Sequence, residues 1–117
     1  MSVDMIDEKL DFALAGLLGW VNVWDGVRLI WVDGATKEFR RKVTDWHPSS
    51  DPAASLEVQA KAIELDRVAF VNSLYEACYE FKRDKDSGWD EINIAFLLNA
   101  SPCQRAEAAY MTLSNRD

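Results

Sequence analysis

GWVNVWDGVRLIWVDGATKEFRRKVTDWHPSSDP, residues 19–52, is the stretch that decides the fold. Trp20, Trp24 and Trp31 alternate with Val and Ile around two Asp-Gly pairs, Asp25-Gly26 and Asp33-Gly34. Asp-Gly between apolar runs is a strong hairpin signal, because both central residues of a type I′ turn need positive φ. The reading is an antiparallel meander with strands over residues 20–24, 27–32 and 37–44. With a two-residue loop at Asp25-Gly26, Trp24 faces Val27, Val23 faces Arg28, Val21 faces Ile30 and Trp20 faces Trp31. Side-chain alternation then sorts the sheet into two faces. One collects Val21, Val23, Ile30, Phe39 and Val43, together with Arg41, and is expected to pack on helices. The other collects Trp20, Asn22, Trp24, Leu29 and Trp31, joined by Glu38, Arg40 and Lys42. That second face is too apolar to stand wholly in water, so it requires either a helical layer or a ligand.

Working outward from the sheet, residues 5–18 place Ile6, Leu10, Ala13, Leu14, Leu17 and Leu18 at helical spacing. Asp4, Asp7 and Glu8 stand at the positive end of that helix, and Gly19 stops it. On the other side, Ser50-Asp51-Pro52 reads as a helix start with Asp51 as cap and Pro52 at the first helical position, and Leu56, Ala60 and Ile63 continue its stripe. From Asp66, the residues Phe70, Leu74, Ala77, Cys78 and Phe81 keep helical spacing and are assigned to a helix, although Val68, Phe70 and Val71 would also suit a strand. Lys82 to Gly88 reads as a charged loop and Trp89 to Leu98 as a short helix. Ser101-Pro102 starts a last helix that ends near Leu113. The fold class is therefore α+β: a small antiparallel sheet of three or four strands sandwiched by helices, with a helical C-terminal half.

A length of 117 residues with 49% apolar composition suits one domain with one core, spanning residues 1–117. The net charge of −7 disfavours general nucleic-acid and anionic-membrane binding, both of which need a basic footprint. Charge is unevenly placed: residues 1–27 carry −4, residues 28–47 carry +2 and residues 48–81 carry −4. The helices are thus the acidic surface and the hairpin region the basic one. Cys78 and Cys103, with no signal-peptide pattern and no bilayer-length apolar run, fit a reduced cytoplasmic setting.

Residue patterns for catalysis are sparse. His47 is the only histidine and reads as a packed loop residue between Trp46 and Pro48. A Cys-His pair would need Cys78 or Cys103 to reach the loop before Pro48, and nothing in the spacing supports that. Carboxylates fall singly rather than in a metal-holding pattern, and the glycines sit at turns and helix ends instead of in a phosphate loop. No cofactor is expected. Arg40-Arg41-Lys42 is the sharpest local charge feature. Arg40 and Lys42 beside the tryptophans could stack a base and neutralise phosphate, or could merely lay their stems over the indoles. Arg28 and Arg41 are read as cross-strand neighbours, one of which pairs with a helix carboxylate.

Leu18-Gly19-Trp20, the tryptophan-rich hairpin, Trp46-His47-Pro48-Ser49-Ser50-Asp51 leading into a helix, and Ala100-Ser101-Pro102-Cys103-Gln104-Arg105-Ala106-Glu107-Ala108-Ala109 together resemble the phage ABA sandwich domain family, small proteins of tailed bacteriophages and prophages. The likeness implies a sheet covered by helices on both faces and a phage accessory role. Between Glu64 and Phe81 the chain departs from it, reading helical where such proteins return to a strand.

Two functions of different classes follow. The first is a non-enzymatic phage accessory protein that binds a host protein with a basic surface, as an inhibitor of a host or anti-phage defence factor such as a CRISPR component. Its contact residues would be acidic helix positions, Glu57, Glu64 and Glu76. The alternative is a small-ligand module that holds a nucleotide on Trp20, Trp24, Trp31, Arg40 and Lys42.

Overall fold

The computed structural model describes residues 6–79 and 91–114. The chain runs α1 (Asp7–Leu17), β1 (Trp20–Trp24), β2 (Leu29–Asp33), β3 (Phe39–Lys42), a single 3₁₀ turn (Val43–Asp45), α2 (Pro52–Tyr79), α3 (Glu91–Leu98) and α4 (Pro102–Ser114). The three strands form one antiparallel sheet in the order β1-β2-β3. This is an α+β fold with a helical C-terminal half, as the pattern predicts. The segment from Asp66 is helix, which settles the choice left between helix and strand there. The expected Lys82–Gly88 loop, Trp89 and Phe81 lie outside the described residues.

Helix ends fall where their signals stand. Gly19 takes φ +86° and its N–H reaches Gly16 O at 3.0 Å, closing α1 in the left-handed conformation that glycine tolerates best. Asp51 caps α2 by accepting the Ala54 N–H at 3.0 Å. Ser101 and Gln104 exchange side-chain and backbone bonds of 3.1 and 2.8 Å, a capping box at the start of α4. α2 is two helices end to end. Asp66 is extended (φ −161°, ψ 91°) and its carboxylate accepts the Ala69 N–H at 3.0 Å, so it starts the second half as an N-cap.

Both hairpins depart from the expected turn chemistry. Asp25 accepts the amides of Val27 and Arg28 at 2.8 and 2.9 Å, and Asp33 accepts those of Ala35 and Thr36 at 2.8 and 2.9 Å. Each aspartate therefore builds its turn with its own side chain, which replaces the type I′ geometry. Positive φ is confined to Gly26 in the first turn and Lys37 in the second. The first loop is four residues long, so Trp24 faces Leu29, Val23 faces Ile30, Asn22 faces Trp31 and Trp20 faces Asp33. A shift of two residues leaves the assignment of faces intact.

The second hairpin does not preserve it. Val32 faces Phe39, as parity requires, but a β-bulge follows, after which Trp31 faces Arg41 and Ile30 faces Lys42. The extra residue reverses the facing of everything beyond it. Arg41 thus joins the tryptophan face and Lys42 the valine face, opposite to the sequence expectation. The third strand is also shorter than residues 37–44, ending at Lys42 where the 3₁₀ turn begins.

The core lies on the tryptophan side. Trp31 (4% exposed) and Trp46 join Leu10, Leu14 and Ala15 of α1, with Phe12 meeting Trp31 edge-on at 5.0 Å. On the other face Val21 and Phe39 of the two edge strands are 43% and 56% exposed, while Ile30 and Val32 of the central strand are buried. α2 packs most extensively on α4, through Ala54, Val58 and Ala62 against Ala106 and Ala109, all buried. Small side chains let the two axes approach closely. The buried stripe of α2 is therefore Ala54-Ser55-Val58-Ala62 in its first half and Phe70-Leu74 in its second, and Leu56, Ala60 and Ile63 face out. Arg105 ties this pair to α3, donating to the carbonyls of Leu98 (3.0 Å) and Ala100 (3.2 Å) and to Gln59 Oε1.

Candidate functional site

The bulge in β3 and the first half of α2 together build a cleft of about 450 Å³ between sheet and helix. Its walls are Leu18 and Trp20 on one side, Asp33, Arg40 and Arg41 on the sheet, and Glu57, Ala60, Lys61 and Glu64 on α2. Arg40 donates to Asp33 Oδ2 at 2.9 Å, and Arg41 donates to Glu57 Oε2 at 2.9 Å while its guanidinium lies 5.9 Å from the Trp20 ring centre. Glu57 Oε1 also accepts the Trp46 indole N–H at 2.9 Å. Lys61 Nζ stands 3.5 Å from Glu64. The Arg40 guanidinium and the two turn amides hold the Asp33 carboxyl well below the usual range, and Asp33 in turn raises Arg40. Each cation in the cleft thus has a carboxylate partner.

This geometry redistributes the sequence-derived site residues. Trp20, Arg40, Glu57 and Glu64, drawn from two different proposals, line the same cleft, whereas Trp24, Trp31, Lys42 and Glu76 stand outside it. Trp31 is buried under α1 and Trp20 packs on Trp46 with ring centres 4.8 Å apart at a 53° tilt, so the three indoles do not form one open platform. Trp24 is 63% exposed at the hairpin tip. Lys42 belongs to the opposite face, 4.0 Å from Asp45. Glu57 is corrected from an exposed helix position to a half-buried one committed to Arg41 and Trp46. The expectation that Arg28 or Arg41 pairs with a helix carboxylate is met by Arg41, while Arg28 turns back to Asp25 at 3.9 Å. Glu64 and Glu76 lie on exposed helix surface, as expected.

A second cluster is not visible in the sequence. Asp11 of α1 is 5% exposed and accepts both the backbone N–H (2.8 Å) and the hydroxyl (3.1 Å) of Ser49. His47 Nδ1 stands 3.6 Å from Asp11, and Nε2 donates to Thr44 O at 2.8 Å. His47 is exposed, not packed. These groups border a groove of about 350 Å³ walled by Phe12, Leu29, Trp31 and Trp46. Burial raises the Asp11 carboxyl, an effect opposed by the two Ser49 donors and His47. The arrangement joins α1 to the loop before α2. It does not activate a nucleophile, since the Ser49 hydroxyl is bonded to Asp11 and not to the imidazole. A partner for His47 cannot be read from the sequence because Asp11 lies 36 residues away.

The thiols are also placed unlike nucleophiles. Burial raises Cys78, and burial with the Glu107, Asp7 and Asp11 carboxylates pushes Cys103 up to about 11. Among the described residues, no group of three or more His, Cys, Asp or Glu side chains is placed to hold a metal ion, and no helix is long and apolar enough to cross a membrane. The chain matches no protein-family model, no curated protein and no solved structure.

Proposed function

We propose that this chain is a non-enzymatic phage or prophage accessory protein that binds a host protein through acidic helix surface. Its target would be a host or anti-phage defence factor, such as a CRISPR component, that presents a basic face. The observation that carries the reading is the outward placement of Asp7 and Glu8 on α1 and of Glu64, Asp66 and Glu76 on α2, in a chain of net charge −7. The resemblance to phage ABA sandwich proteins supplies the phage context. The thiols held protonated and the Ser49 hydroxyl turned away from His47 support a binding role over covalent catalysis. The nucleotide alternative loses support, because Trp31 is buried and Arg40 and Arg41 are already bonded to carboxylates.

Capture from host lysate with mass spectrometry identifies a partner, and titration calorimetry over a salt series then tests the surface. Binding should weaken as salt rises, since exposed charges are screened beyond about 8–10 Å at physiological ionic strength. Glu64→Lys with Glu76→Lys should weaken it further, with circular dichroism reporting that the fold is kept. Glu57 is left intact in this test because it supports the fold. Unchanged affinity in the double variant, or metal-dependent turnover of nucleotide or nucleic acid by the pure protein, would overturn the reading.

A further inference from the structure

The sheet has two edges, and they are guarded very differently. β3 is four residues long, carries Arg40, Arg41 and Lys42, contains a bulge and runs into a 3₁₀ turn. Shortness, cations and bulges are the devices by which proteins keep a strand edge from pairing with another chain. β1 has none of them. It is Trp20-Val21-Asn22-Val23-Trp24, five residues with no charge, no proline and a regular register to β2.

Two bonds that flank this ladder fix where its free groups point. Asp25 N–H reaches Arg28 O at 3.1 Å at one end, and Gly34 N–H reaches Gly19 O at 2.8 Å at the other. Narrow, hydrogen-bonded pairs recur every second residue in an antiparallel ladder, so the odd residues 19, 21, 23 and 25 direct their amides and carbonyls at β2. Trp20, Asn22 and Trp24 then direct theirs away from it. Among the described residues, none of these outward groups has a backbone partner outside the sheet.

The strand is also a palindrome. Laid antiparallel on a second copy about Asn22, it sets Asn22 opposite Asn22, Val21 opposite Val23 and Trp20 opposite Trp24, each like with like. That register is self-complementary, as a two-fold interface requires. It also puts the three outward residues in the hydrogen-bonded positions of the new ladder, so all their free amides and carbonyls are used. No charge stands opposite a like charge, although each copy carries −7. One further feature agrees: Val21 and Trp24, 43% and 63% exposed, would gain apolar cross-strand neighbours.

The geometry points to homodimerisation through β1, with the two three-stranded sheets joined into one six-stranded antiparallel sheet. Interfaces that persist at high dilution usually bury roughly 1,200–2,000 Å², and a five-residue strand pair belongs at or below that range, so the dimer forms and dissociates with concentration.

Sedimentation velocity of the full chain across a concentration series is the first test. The average mass should climb from one chain toward two, and a single-chain mass at every concentration overturns the proposal. Asn22→Pro removes an N–H that points off the sheet, so the β1–β2 ladder keeps its bonds while the two-fold pair loses two. It should weaken self-association at least tenfold, with circular dichroism reporting that the fold is kept. Asn22→Cys reads the register directly. Directly opposed residues of a hydrogen-bonded pair have Cα atoms about 5.5 Å apart, within the span of a disulfide. Under mild oxidation Asn22→Cys should form covalent dimers, while the wild type and Val27→Cys, exposed in the turn, should not. Self-association that persists with Asn22→Cys no more cross-linked than Val27→Cys places the contact elsewhere and overturns the β1 pairing.

Discussion

Trp31 and Trp24 sit on the same face of the same hairpin, yet one is 4% exposed and the other 63%. Trp31 lies mid-strand, where Phe12 and the Leu10-Leu14 side of α1 cover it. Trp24 lies at the tip beside Leu29 and Val27, which are 46% and 75% exposed. The middle of the tryptophan face belongs to the helical core and the tip projects past it. Alternation decides which face a side chain occupies; the reach of a neighbouring helix decides whether that face is dry.

The largest expected effect tests this contrast directly. Trp31→Ala should cost about 3–5 kcal/mol, as truncating a buried aromatic does when a cavity remains, whereas Trp24→Ala should stay within about 0.5 kcal/mol. Urea unfolding of the two variants measures both, and equal losses would show that the tip is packed like the middle.

A smaller effect sharpens the same comparison through the glycines at the two ends of the hairpin. At the base, a Cβ on Gly34 would stand 2.9 Å from Gly19 O and 3.2 Å from Val21 Cγ2, so Gly34→Ala must push two backbone segments apart. A loss of about 1–3 kcal/mol is expected, in the range of overpacking. At the tip, Gly26 meets nothing within 4 Å but holds φ +102°. Gly26→Ala should cost about 1 kcal/mol, from the backbone conformation alone. Thermal melts of the pair distinguish crowding from strain, and a larger loss at Gly26 would reverse the assignment.

The smallest effect concerns pH. Asp11, where α1 meets the loop that carries Trp46, has a folded pKa raised above its unfolded value of 3.8. Its contribution to stability is fully present below that value and is lost as pH rises through the folded pKa. Asp33, at the base of the hairpin, is lowered, so its contribution is present above 3.8 and lost as pH falls. Subtracting the stability of Asp11→Asn from that of the wild type isolates the first group. As pH climbs above 3.8, the difference should move in favour of the variant, whose neutral amide replaces a buried carboxylate. A difference that moves the other way would show that the Ser49 donors outweigh burial.

Much of the fold is legible in short-range chemistry. Gly19, Asp51-Pro52 and Ser101-Pro102 mark helix ends because capping is satisfied within a few residues, and Asp-Gly marks both turns for the same reason. The site is less legible. Glu64 and Glu76 read correctly as exposed, since both lie off the buried stripe of α2. Pattern alone misplaces Glu57, because its role depends on Arg41 and Trp46, which lie outside its helix. Asp11 does not stand out as a partner of His47 and Ser49 because α1 carries other acids that stay in solvent.

Local chemistry alone sets the starts of α2 and α4, the end of α1, the two-hairpin meander and, through period-two alternation, which residues of β1 and β2 share a face. Long-range packing sets the rest: that the helical core closes over Trp31, that Arg41 and Lys42 exchange sides, and that α2 buries Ala54, Val58 and Ala62 while Leu56 and Ile63 face water. The reason is physical. Caps, turns and alternation are set by atoms within a few residues of one another, whereas a bulge, a covering helix and a close approach of small residues are set by what else must fit in the same volume.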